Sequence, residues 1–383
     1  MNNKIDVLII IPDLNLGGTE NQLLKIFKNL SDLDIKIEIL TIIQKGKLSD
    51  EFENKGIKVN CLNPFKWSKH NKYVKFLILT YLSLKYIFFI WSTKPKITHF
   101  FLPFAYWFAG TLSFFCPKTI KIMSRRSTNQ YQKKYPFSKI IEKILHKNMH
   151  ILIANSQYVK SELEEETNYN KKVILIYNGV EIPQLDSYNK DLIKKNMNIS
   201  KEDIVFTTIA NFIPYKGHLN IIKALNNVFT ISKKYKMIFI GENRNNYQST
   251  IQKKIKDYGM EKNVIFLDND SNINKILKIS DLLISGSSEE SLSNSILEAM
   301  SMQIPCLVTN VGGSPELITN NLNGFIVPPN DINAMSKNIE NFSQNIHLFS
   351  NMGKNSRKKI IKSFNISSKS KELILVYKSY LNS

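Results

Sequence analysis

Residues 204–219 read IVFTTIANFIPYKGHL, and residues 7–22 read VLIIIPDLNLGGTENQ. Each stretch begins with an apolar run typical of a buried strand, continues through a loop that contains glycine, and ends where a helical pattern starts. A strand, a glycine loop and a helix in that order open a parallel α/β sheet. Because the unit starts at residue 7 and again at residue 204, the sequence predicts two domains of similar construction.

Further apolar runs alternate with helical patterns along the whole chain. The predicted strands are 7–11, 35–43, 97–102, 150–154 and 173–176 in the first half, and 204–210, 237–240, 264–267, 282–285, 306–309 and 325–327 in the second. The expected fold class is α/β, with two doubly wound Rossmann-like domains facing a central cleft and ligands at the carboxyl ends of the strands. Gly179 and Pro183 suit a linker, so we place the domain boundary near residue 180.

The composition supports a folded intracellular protein. A hydrophobic content of 43% over 383 residues is enough for two cores and excludes general disorder. Cys61, Cys116 and Cys306 are scattered and lack the spacing of a zinc site or a disulfide framework, which fits a reducing cytosol. The start of the chain lacks the apolar core and cleavage site of a signal peptide, so a cytoplasmic location is expected.

The formal net charge of +20 indicates an anionic partner or substrate. Lysines dominate and are spread along the sequence, unlike the clustered arginines of nucleic-acid modules, so no nucleic-acid partner is expected. Lys75 and Lys85 interrupt the apolar residues 73–91, which are therefore not expected to span a membrane. We expect an amphipathic helix over 72–85 on an anionic bilayer, with the protein peripheral on the inner face of the cell membrane, and a strand with a buried helix over 97–116.

Two glycine loops have the composition of phosphate sites. A cation at a helix N-terminus opposes the helix macrodipole, and an anion between Lys216 and the following helix would remove that conflict. Gly17 and Gly18 precede a helix that Thr19 and Gln22 would cap; the glycines permit close approach of a phosphate, but the capping box alone also explains the helix start.

Residues 289–305, EESLSNSILEAMSMQIP, place Glu298 inside an apolar helical stretch and Glu290 in the preceding loop. Burying a lone carboxylate is costly, so each acid needs a polar partner. Sugar hydroxyls at the helix N-terminus would supply charge-assisted hydrogen bonds to both acids.

Other motifs carry weaker signals. The Asp-x-Asp at 268–270 matches metal-dependent sugar transferases, but we interpret it as a solvated loop and expect no metal. Gly312 and Gly313 permit close backbone approach, while the following Ser and Pro suit a helix start. His99 and His218 lie near predicted strand ends and are open to either a structural or a catalytic role.

Taken together, GGTE at 17–20, IYNGV at 176–180, P-x-K-G at 214–217, EAM at 298–300, GGSPE at 312–316 and NGFIVPP at 323–329 resemble a family 4 retaining glycosyltransferase of the GT-B fold. The resemblance runs from about residue 5 to 335. The segment EESLSNSILEAM is similar to bacterial enzymes that assemble surface polysaccharides, lipopolysaccharide or capsule.

The resemblance implies roles for named residues. Lys216 would hold the diphosphate of a nucleotide sugar, Glu298 its ribose hydroxyls and Glu290 the transferred sugar. The implied donor-binding set is Gly17, Gly18, Asn211, Lys216, Glu290, Ser291, Leu292, Ser293, Asn294 and Glu298. The implied catalytic residues are Lys216, Glu290 and His99.

Two positions depart from the family pattern. Asn211 stands where many relatives carry an arginine for the phosphate, and Arg125 or Arg126 is a candidate to replace it. Phe101 stands where relatives often carry a second histidine, which weakens a mechanism assisted by His99.

The expected function is retaining transfer of a hexose or N-acetylhexosamine from a nucleotide-diphosphate sugar to a lipid-linked or growing glycan acceptor, with no cofactor and no metal. UDP-sugar is expected in preference to GDP-sugar. Residues 1–180 would bind the acceptor, residues 181–365 the donor, and residues 366–383 would form a helix that crosses back to the first domain. A nucleotide-sugar epimerase of the same fold and a non-catalytic glycan-binding protein remain as alternatives.

Overall fold

A computed structural model describes residues 5–28, 34–65, 72–229, 234–243, 246–268 and 272–382. The chain divides into two compact units. Unit 1 comprises the chain up to Gly179 together with the segment from Ile366 onward, and unit 2 comprises Val180–Asn365. The division therefore falls one residue before the boundary placed at 180, and the last helix belongs to unit 1.

Unit 1 is built on a parallel sheet, of which seven strands lie in the described residues. The strands are β1 (Val7–Ile11), β2 (Ile37–Thr41), β3 (Lys58–Cys61), β4 (Ile97–Phe101), β5 (Ile120–Arg125), β6 (Ile151–Ala154) and β7 (Val173–Leu175). Their order is β3-β2-β1-β4-β5-β6-β7, so the direction of winding reverses between β1 and β4. This is the doubly wound topology, whose ligands bind at the reversal point.

Helices cover both faces of the first sheet. They are α1 (Gly18–Lys28), α2 (Ser49–Glu53), α3 (Lys72–Thr93), α4 (Pro103–Leu112), α5 (Tyr131–Lys134), α6 (Pro136–Asn148), α7 (Gln157–Glu166) and α16 (Ile366–Leu381). Successive side chains of a strand point to opposite faces. Val7 and Ile9 accordingly pack with α1 and α16, whereas Leu8 and Ile10 pack with α3 and α4.

Unit 2 repeats the same plan, with six parallel strands in the described residues. The strands are β8 (Ile204–Ile209), β9 (Tyr235–Ile240), β10 (Val264–Leu267), β11 (Leu282–Ser285), β12 (Cys306–Thr309) and β13 (Gly324–Val327). Their order is β10-β9-β8-β11-β12-β13, and the winding reverses between β8 and β11.

The second sheet is also covered on both faces. Its helices are α8 (Lys190–Asn196), α9 (His218–Phe229), α10 (Tyr247–Asp257), α11 (Ile273–Ile279), α12 (Asn294–Ser301), α13 (Ser314–Leu317), α14 (Ile332–Gln344) and α15 (Ser350–Ser363). Phe206 of β8 packs with α9 and α14, and its neighbour Val205 packs with α8 and α11 on the other face.

The prediction of two doubly wound α/β sheets is confirmed, and each predicted strand coincides with an observed strand to within two residues. The sequence analysis missed β3 and β5, because charged residues interrupt their apolar pattern. Residues 97–112 form a strand and a helix, as predicted. A helix is present where an amphipathic one was expected over 72–85, but it continues to Thr93, and large apolar side chains lie on its exposed side as well as on its buried side.

Candidate functional site

The reversal point of unit 2 carries the two residues that the sequence analysis ranked first. β8 and β11 are hydrogen-bonded neighbours, and their carboxyl ends lead into the loops that contain Lys216 and Glu290. Loops that leave adjacent parallel strands on either side of a reversal form a crevice. The two residues are therefore brought together although they lie 74 positions apart in sequence.

A short turn holds Lys216 in place. Residues Pro214–Lys216 form one turn of 3-10 helix, and Gly217 ends it with a φ of 74°. A β-carbon on Gly217 would lie 1.9 Å from the carbonyl oxygen of Gly286, so the turn packs directly on the loop after β11. The N–H of Ser288 also donates to the carbonyl of Tyr215 at 2.8 Å. Helix α9 starts at His218, which confirms that Lys216 stands just before a helix.

Lys216 and Glu290 form an ion pair. The Nζ of Lys216 lies 2.7 Å from Oε2 of Glu290, and their side chains are 19% and 12% exposed. Burial would lower the pKa of Lys216, but the neighbouring Glu290 carboxylate raises it above its ordinary value. The lysine is therefore a fixed cation in a mostly dry setting, where a charge acts more strongly than in water.

Gly312 and Gly313 position the loop that carries Glu290. A β-carbon on Gly312 would lie 1.5 Å from the carbonyl oxygen of Glu290, and the φ of Gly312 is 51°. The N–H of Gly313 donates to the same carbonyl at 3.3 Å. The close backbone approach predicted for this glycine pair is therefore an approach to Glu290.

The N-terminus of α12 borders the ion pair. Ser293 caps this helix by accepting a hydrogen bond from the N–H of Ile296, and its hydroxyl lies 2.9 Å from that of Ser295. The helix starts at Asn294. Glu298 is half-buried, and the spacing of three residues puts it on the same helix face as Ser295.

A cavity joins these features. It is lined by Thr208, Ile209, Ala210, Lys216, Ile284, Ser285, Ser287, Glu290, Ser293 and Ser295. One cation, one carboxylate, several hydroxyls and a helix N-terminus thus face one small volume. Backbone N–H groups at a helix start and a buried lysine suit a phosphate.

Two other predicted positions of unit 2 have contacts within the fold, and a third is exposed. Asn211 accepts a hydrogen bond from the N–H of Glu242 through its side chain, at 3.3 Å, and so joins the loops after β8 and β9. His218 is buried between the rings of Phe212 and Phe239, and burial lowers its pKa to about 4, which keeps it neutral. Of the Asp-x-Asp motif, Asp268 is exposed, and residues 269 and 270 lie outside the described residues.

The glycines predicted in unit 1 lie at the start of α1. The helix begins at Gly18, one residue before the predicted cap Thr19. A β-carbon on Gly17 would lie 2.3 Å from Oε2 of Glu20, so that carboxylate folds back over the glycine. The Glu20 side chain is flexible and could move aside, so this contact alone does not require a glycine at position 17. A role for Gly17 and Gly18 in donor binding stays a prediction.

His99 has the geometry of a structural residue. It is fully buried in β4, with Nδ1 at 2.7 Å from the Tyr377 hydroxyl and Nε2 at 2.8 Å from the Ser124 hydroxyl. Burial, with the nearby Arg126 guanidinium, holds the pKa of His99 well below its ordinary value. Both ring nitrogens are engaged inside unit 1, a geometry that does not favour the predicted catalytic role.

A buried charged cluster in unit 1 was missed by the sequence analysis. The guanidinium of Arg125 donates to Glu142 and to Glu166, and Tyr131 donates to Glu142. Arg125 ends β5 while Glu142 and Glu166 come from α6 and α7, so no local spacing links them. This arginine is committed to two carboxylates of its own unit, which argues against it as the replacement for the missing phosphate arginine.

A second cavity lies against this cluster. Its lining is Leu102, Pro103, Tyr106, Met123, Ser124, Arg125, Arg126, Ser127, Tyr131 and Glu142. It is at the carboxyl ends of β4 and β5, the edge where doubly wound sheets bind ligands. Leu102 has a φ of 68°, which is rare for a residue with a branched side chain and marks this edge as strained.

Glu142, His146 and Glu166 offer ligand atoms within 4.8 Å of one another, as a metal site would. The Arg125 guanidinium contacts both carboxylates and already places a positive charge between them. A cation would have to displace the arginine, so we interpret the group as a structural ion-pair network.

Two family models match the chain in succession. The model for glycosyltransferase family 4 matches residues 16–183, and the model for group 1 glycosyl transferases matches residues 189–359. The first match lies in unit 1 apart from its last four residues, and the second lies within unit 2.

Curated relatives align over part of the chain. An N-acetyl-alpha-D-glucosaminyl L-malate synthase of Bacillus anthracis is 26% identical over 56% of this chain and 55% of its own length. A UDP-Gal:alpha-D-GlcNAc-diphosphoundecaprenol alpha-1,3-galactosyltransferase of Escherichia coli is 31% identical over 51% of each. The chain thus spans about half the length of these relatives.

A solved structure matches nearly the whole chain. Alr3699/HepE of Anabaena, solved in complex with UDP and glucose, aligns with a TM-score of 0.83 over 98% of this chain and 100% of its own, at 17% identity. At this identity the likeness shows the fold, and the predicted GT-B class is confirmed.

Proposed function

This chain belongs to glycosyltransferase family 4, and from that membership we propose that it transfers a hexose or N-acetylhexosamine from a nucleotide-diphosphate sugar to a glycan acceptor with retention of configuration. The observation that carries the proposal is the ion pair of Lys216 and Glu290 in the cavity beside α12. The cavity brings together a cation for the diphosphate and a carboxylate for sugar hydroxyls.

In the proposed donor complex the diphosphate takes the place of Glu290 as the partner of Lys216. The turn Pro214–Lys216 already holds the lysine at the cavity, so the lysine needs little movement when the diphosphate replaces the carboxylate. The hydroxyls of Ser293 and Ser295 and the N–H groups at the start of α12 lie beside the same volume and would bind further phosphate oxygens. Glu290 is then released to accept hydrogen bonds from the transferred sugar.

Glu298 is the proposed partner of the ribose hydroxyls. It lies four residues after Asn294, which is about 6 Å along the helix axis at about 1.5 Å per residue. A nucleoside attached to a diphosphate at the helix N-terminus extends over such a distance. The proposed order along α12 is therefore phosphate at the start and ribose one turn further.

The proposed reaction needs charge stabilisation more than a nucleophile. The bond between the sugar C1 and the diphosphate oxygen breaks, the acceptor hydroxyl oxygen bonds to C1 on the same face, and its proton passes to the departing phosphate oxygen. Negative charge grows on the diphosphate in this step, and Lys216 with the α12 N-terminus faces it. This route uses neither His99 nor a metal.

We place the acceptor in unit 1, at the cavity beside Tyr106 and Arg126. The E. coli relative is named for a diphosphoundecaprenol-linked acceptor, which supports a lipid-linked acceptor here. Assembly of a bacterial surface polysaccharide is the corresponding biological role, and UDP is the proposed nucleotide.

A panel of nucleotide sugars and free nucleotides, scored by thermal shift, tests the donor assignment. A ligand that binds the folded state at a hundred times its Kd stabilises it by about 2.7 kcal/mol, which raises the midpoint by several degrees. We expect UDP and one or more UDP-sugars to raise the midpoint, and GDP and CMP forms to have little effect. No shift with any nucleotide would contradict the proposal.

Incubation of the donor with and without an acceptor distinguishes transfer from epimerisation. Incubated without acceptor, an epimerase would convert the donor sugar to its epimer or release it as an isomer. The proposed transferase returns the donor intact, apart from slow hydrolysis, and consumes it when a lipid-linked glycan is added. A binding protein without activity would leave the donor unchanged in both cases.

A further inference from the structure

Helix α3 exposes an unusual amount of apolar surface. Its buried side chains form one stripe at four-residue spacing, Ile78, Leu82, Tyr86 and Ile90, which packs into the core of unit 1. The side chains outside the stripe are also large and apolar, with Tyr73 at 85%, Phe76 at 69% and Phe88 at 74% exposed. Leu77, Leu84 and Trp91 extend this exposed face. A helix that is apolar all round is normally buried on all sides.

Two further elements of unit 1 also expose large apolar side chains. Helix α4 packs against α3 on one side and α6 on the other. Trp91 donates to the carbonyl of Phe115, which joins the end of α3 to the turn Ser113–Phe115, where Phe114 and Phe115 are exposed. On α6, Phe137 is 77% exposed, and the side chains of residues 140, 141 and 144 are exposed isoleucines. We call α3, the turn Ser113–Phe115 and α6 together the apolar face.

The charges around the apolar face are of one sign. Residues 72–148 contain fourteen Lys and Arg residues and a single acidic residue, Glu142. Glu142 is buried and bound by Arg125, so it presents no negative charge to solvent. Lys139, Lys143 and Lys147 are exposed on α6 between its apolar side chains. Large apolar groups interleaved with lysines are the composition that binds an anionic lipid interface.

We propose that the apolar face docks unit 1 on the surface of an anionic bilayer, with the aromatic and aliphatic side chains inserted below the headgroups and the α6 lysines among the phosphates. By length and composition α3 is the one helix of the described chain that qualifies as a membrane span, with 22% of its apolar window buried in the protein. Its buried stripe packs over about three turns into the core of unit 1. The helix cannot leave that core while unit 1 stays folded, so we place it along the bilayer surface. A second copy would place lysines against lysines, which disfavours self-association through this face.

The membrane-docking proposal does not depend on the proposed transfer reaction, because its test measures lipid binding and not turnover. The full chain is floated with vesicles of phosphatidylcholine alone and with vesicles of equal parts phosphatidylcholine and phosphatidylglycerol. We expect binding to the anionic vesicles at low salt, weaker binding at high salt, and little binding to phosphatidylcholine. Equal recovery with both vesicle types, or no flotation with either, would overturn the proposal.

Matched variants assign the binding to the apolar face. Leu77→Gln with Leu84→Gln removes two exposed side chains of α3, and the control Ile361→Gln with Leu375→Gln removes two of similar exposure elsewhere. Loss of two large apolar side chains from the inserted surface should weaken partitioning by about a hundredfold or more. The control pair should bind as the wild type does. Equal behaviour of the two pairs would contradict the assignment.

The lysines are tested in the same way. Lys139→Gln, Lys143→Gln and Lys147→Gln together should weaken binding to anionic vesicles on the order of a hundredfold, since each lysine near the surface contributes about 1 kcal/mol. Lys253→Gln, Lys256→Gln and Lys262→Gln, which are exposed in unit 2, form the control. Circular dichroism and thermal midpoints verify folding of each variant.

Two other occupants of the apolar face, a second copy of the chain or the tail of an acceptor, predict different results, and either result would overturn the proposal. If a second copy covers the face, light scattering will show a dimer that Leu77→Gln with Leu84→Gln dissociates, without vesicle binding. If the face holds the hydrocarbon tail of an acceptor, flotation will require an added polyprenyl diphosphate glycan and will not depend on phosphatidylglycerol. Blue-shifted fluorescence of Trp91 on vesicles, lost in Trp91→Phe, is the result that the bilayer proposal expects.

Discussion

At the residue scale, the ion pair of Lys216 and Glu290 depends on glycines whose roles are geometric. Gly217 lets the lysine turn pack on Gly286, and Gly312 lets the neighbouring loop pack on Glu290. The sequence identified Lys216 and Glu290 as site residues, because glycine loops and acids beside helix starts have recognisable compositions. For Gly312 and Gly313 it predicted only a close approach of the backbone. It did not predict that Gly312 supports Glu290, because that contact forms only when the loops after β11 and β12 come together.

Gly312→Ala tests this support. The added methyl would overlap the Glu290 carbonyl, so the loop must move and turnover should fall along with an overpacking loss of about 1–3 kcal/mol in the free energy of unfolding. Gly259→Ala is the matched control, since Gly259 has a φ of 64° and no atom within 4 Å of the added carbon. Gly259→Ala introduces only the strain of placing alanine in a left-handed backbone conformation, about 1 kcal/mol, and should keep full turnover. The comparison is made by urea unfolding and by the initial transfer rate; the same loss of turnover in both variants would refute the support role.

At the element scale, most of both sheets could be predicted, and the exceptions have a common cause. Strand β5 contains Lys121 and Arg125, which break the apolar pattern that marks a buried strand. Arg125 is buried because Glu142 of α6 and Glu166 of α7 neutralise it. These partners lie 17 and 41 positions away, a separation that local patterns do not register. The cavity beside them was missed for the same reason.

Glu162, which lies near the same cluster, is expected to make the stability of unit 1 depend on pH. Burial raises the pKa of Glu162, on α7, to about 7 from an ordinary value of 4.5, although the nearby Arg125 opposes the change. Between pH 4.5 and 7 the unfolded chain therefore loses this proton while the folded chain keeps it, so ionisation favours unfolding as the pH rises. Glu162→Gln, which stays neutral, should gain thermal midpoint over the wild type at pH 8 and much less at pH 5. Glu165→Gln, at an exposed position, serves as control. If the difference in thermal midpoint between Glu162→Gln and the wild type is the same at both pH values, the shifted pKa is contradicted.

At the scale of the whole molecule, two units with the same strand order carry different surfaces. Unit 2 places its ion pair and its helix N-terminus at the reversal point of the sheet. Unit 1 places a strained, arginine-lined cavity at the corresponding edge and the apolar face on α3 and α6. The sequence predicted the repeated architecture, since the opening unit occurs twice, and it predicted helix α3 from its lysines and aromatics. The contribution of α6 required the structure, because its short apolar pattern is also that of an ordinary packed helix.

The kcat of Lys216→Ala, measured with the donor found in the panel, tests the central claim that Lys216 stabilises the departing diphosphate. Removal of a charged group that faces the growing charge should lower kcat by about 10²–10³-fold, with a smaller change in the Kd for UDP. Lys223→Ala, an exposed lysine on α9, is the matched control and should retain wild-type turnover. Unchanged turnover in a folded Lys216→Ala variant would contradict the account.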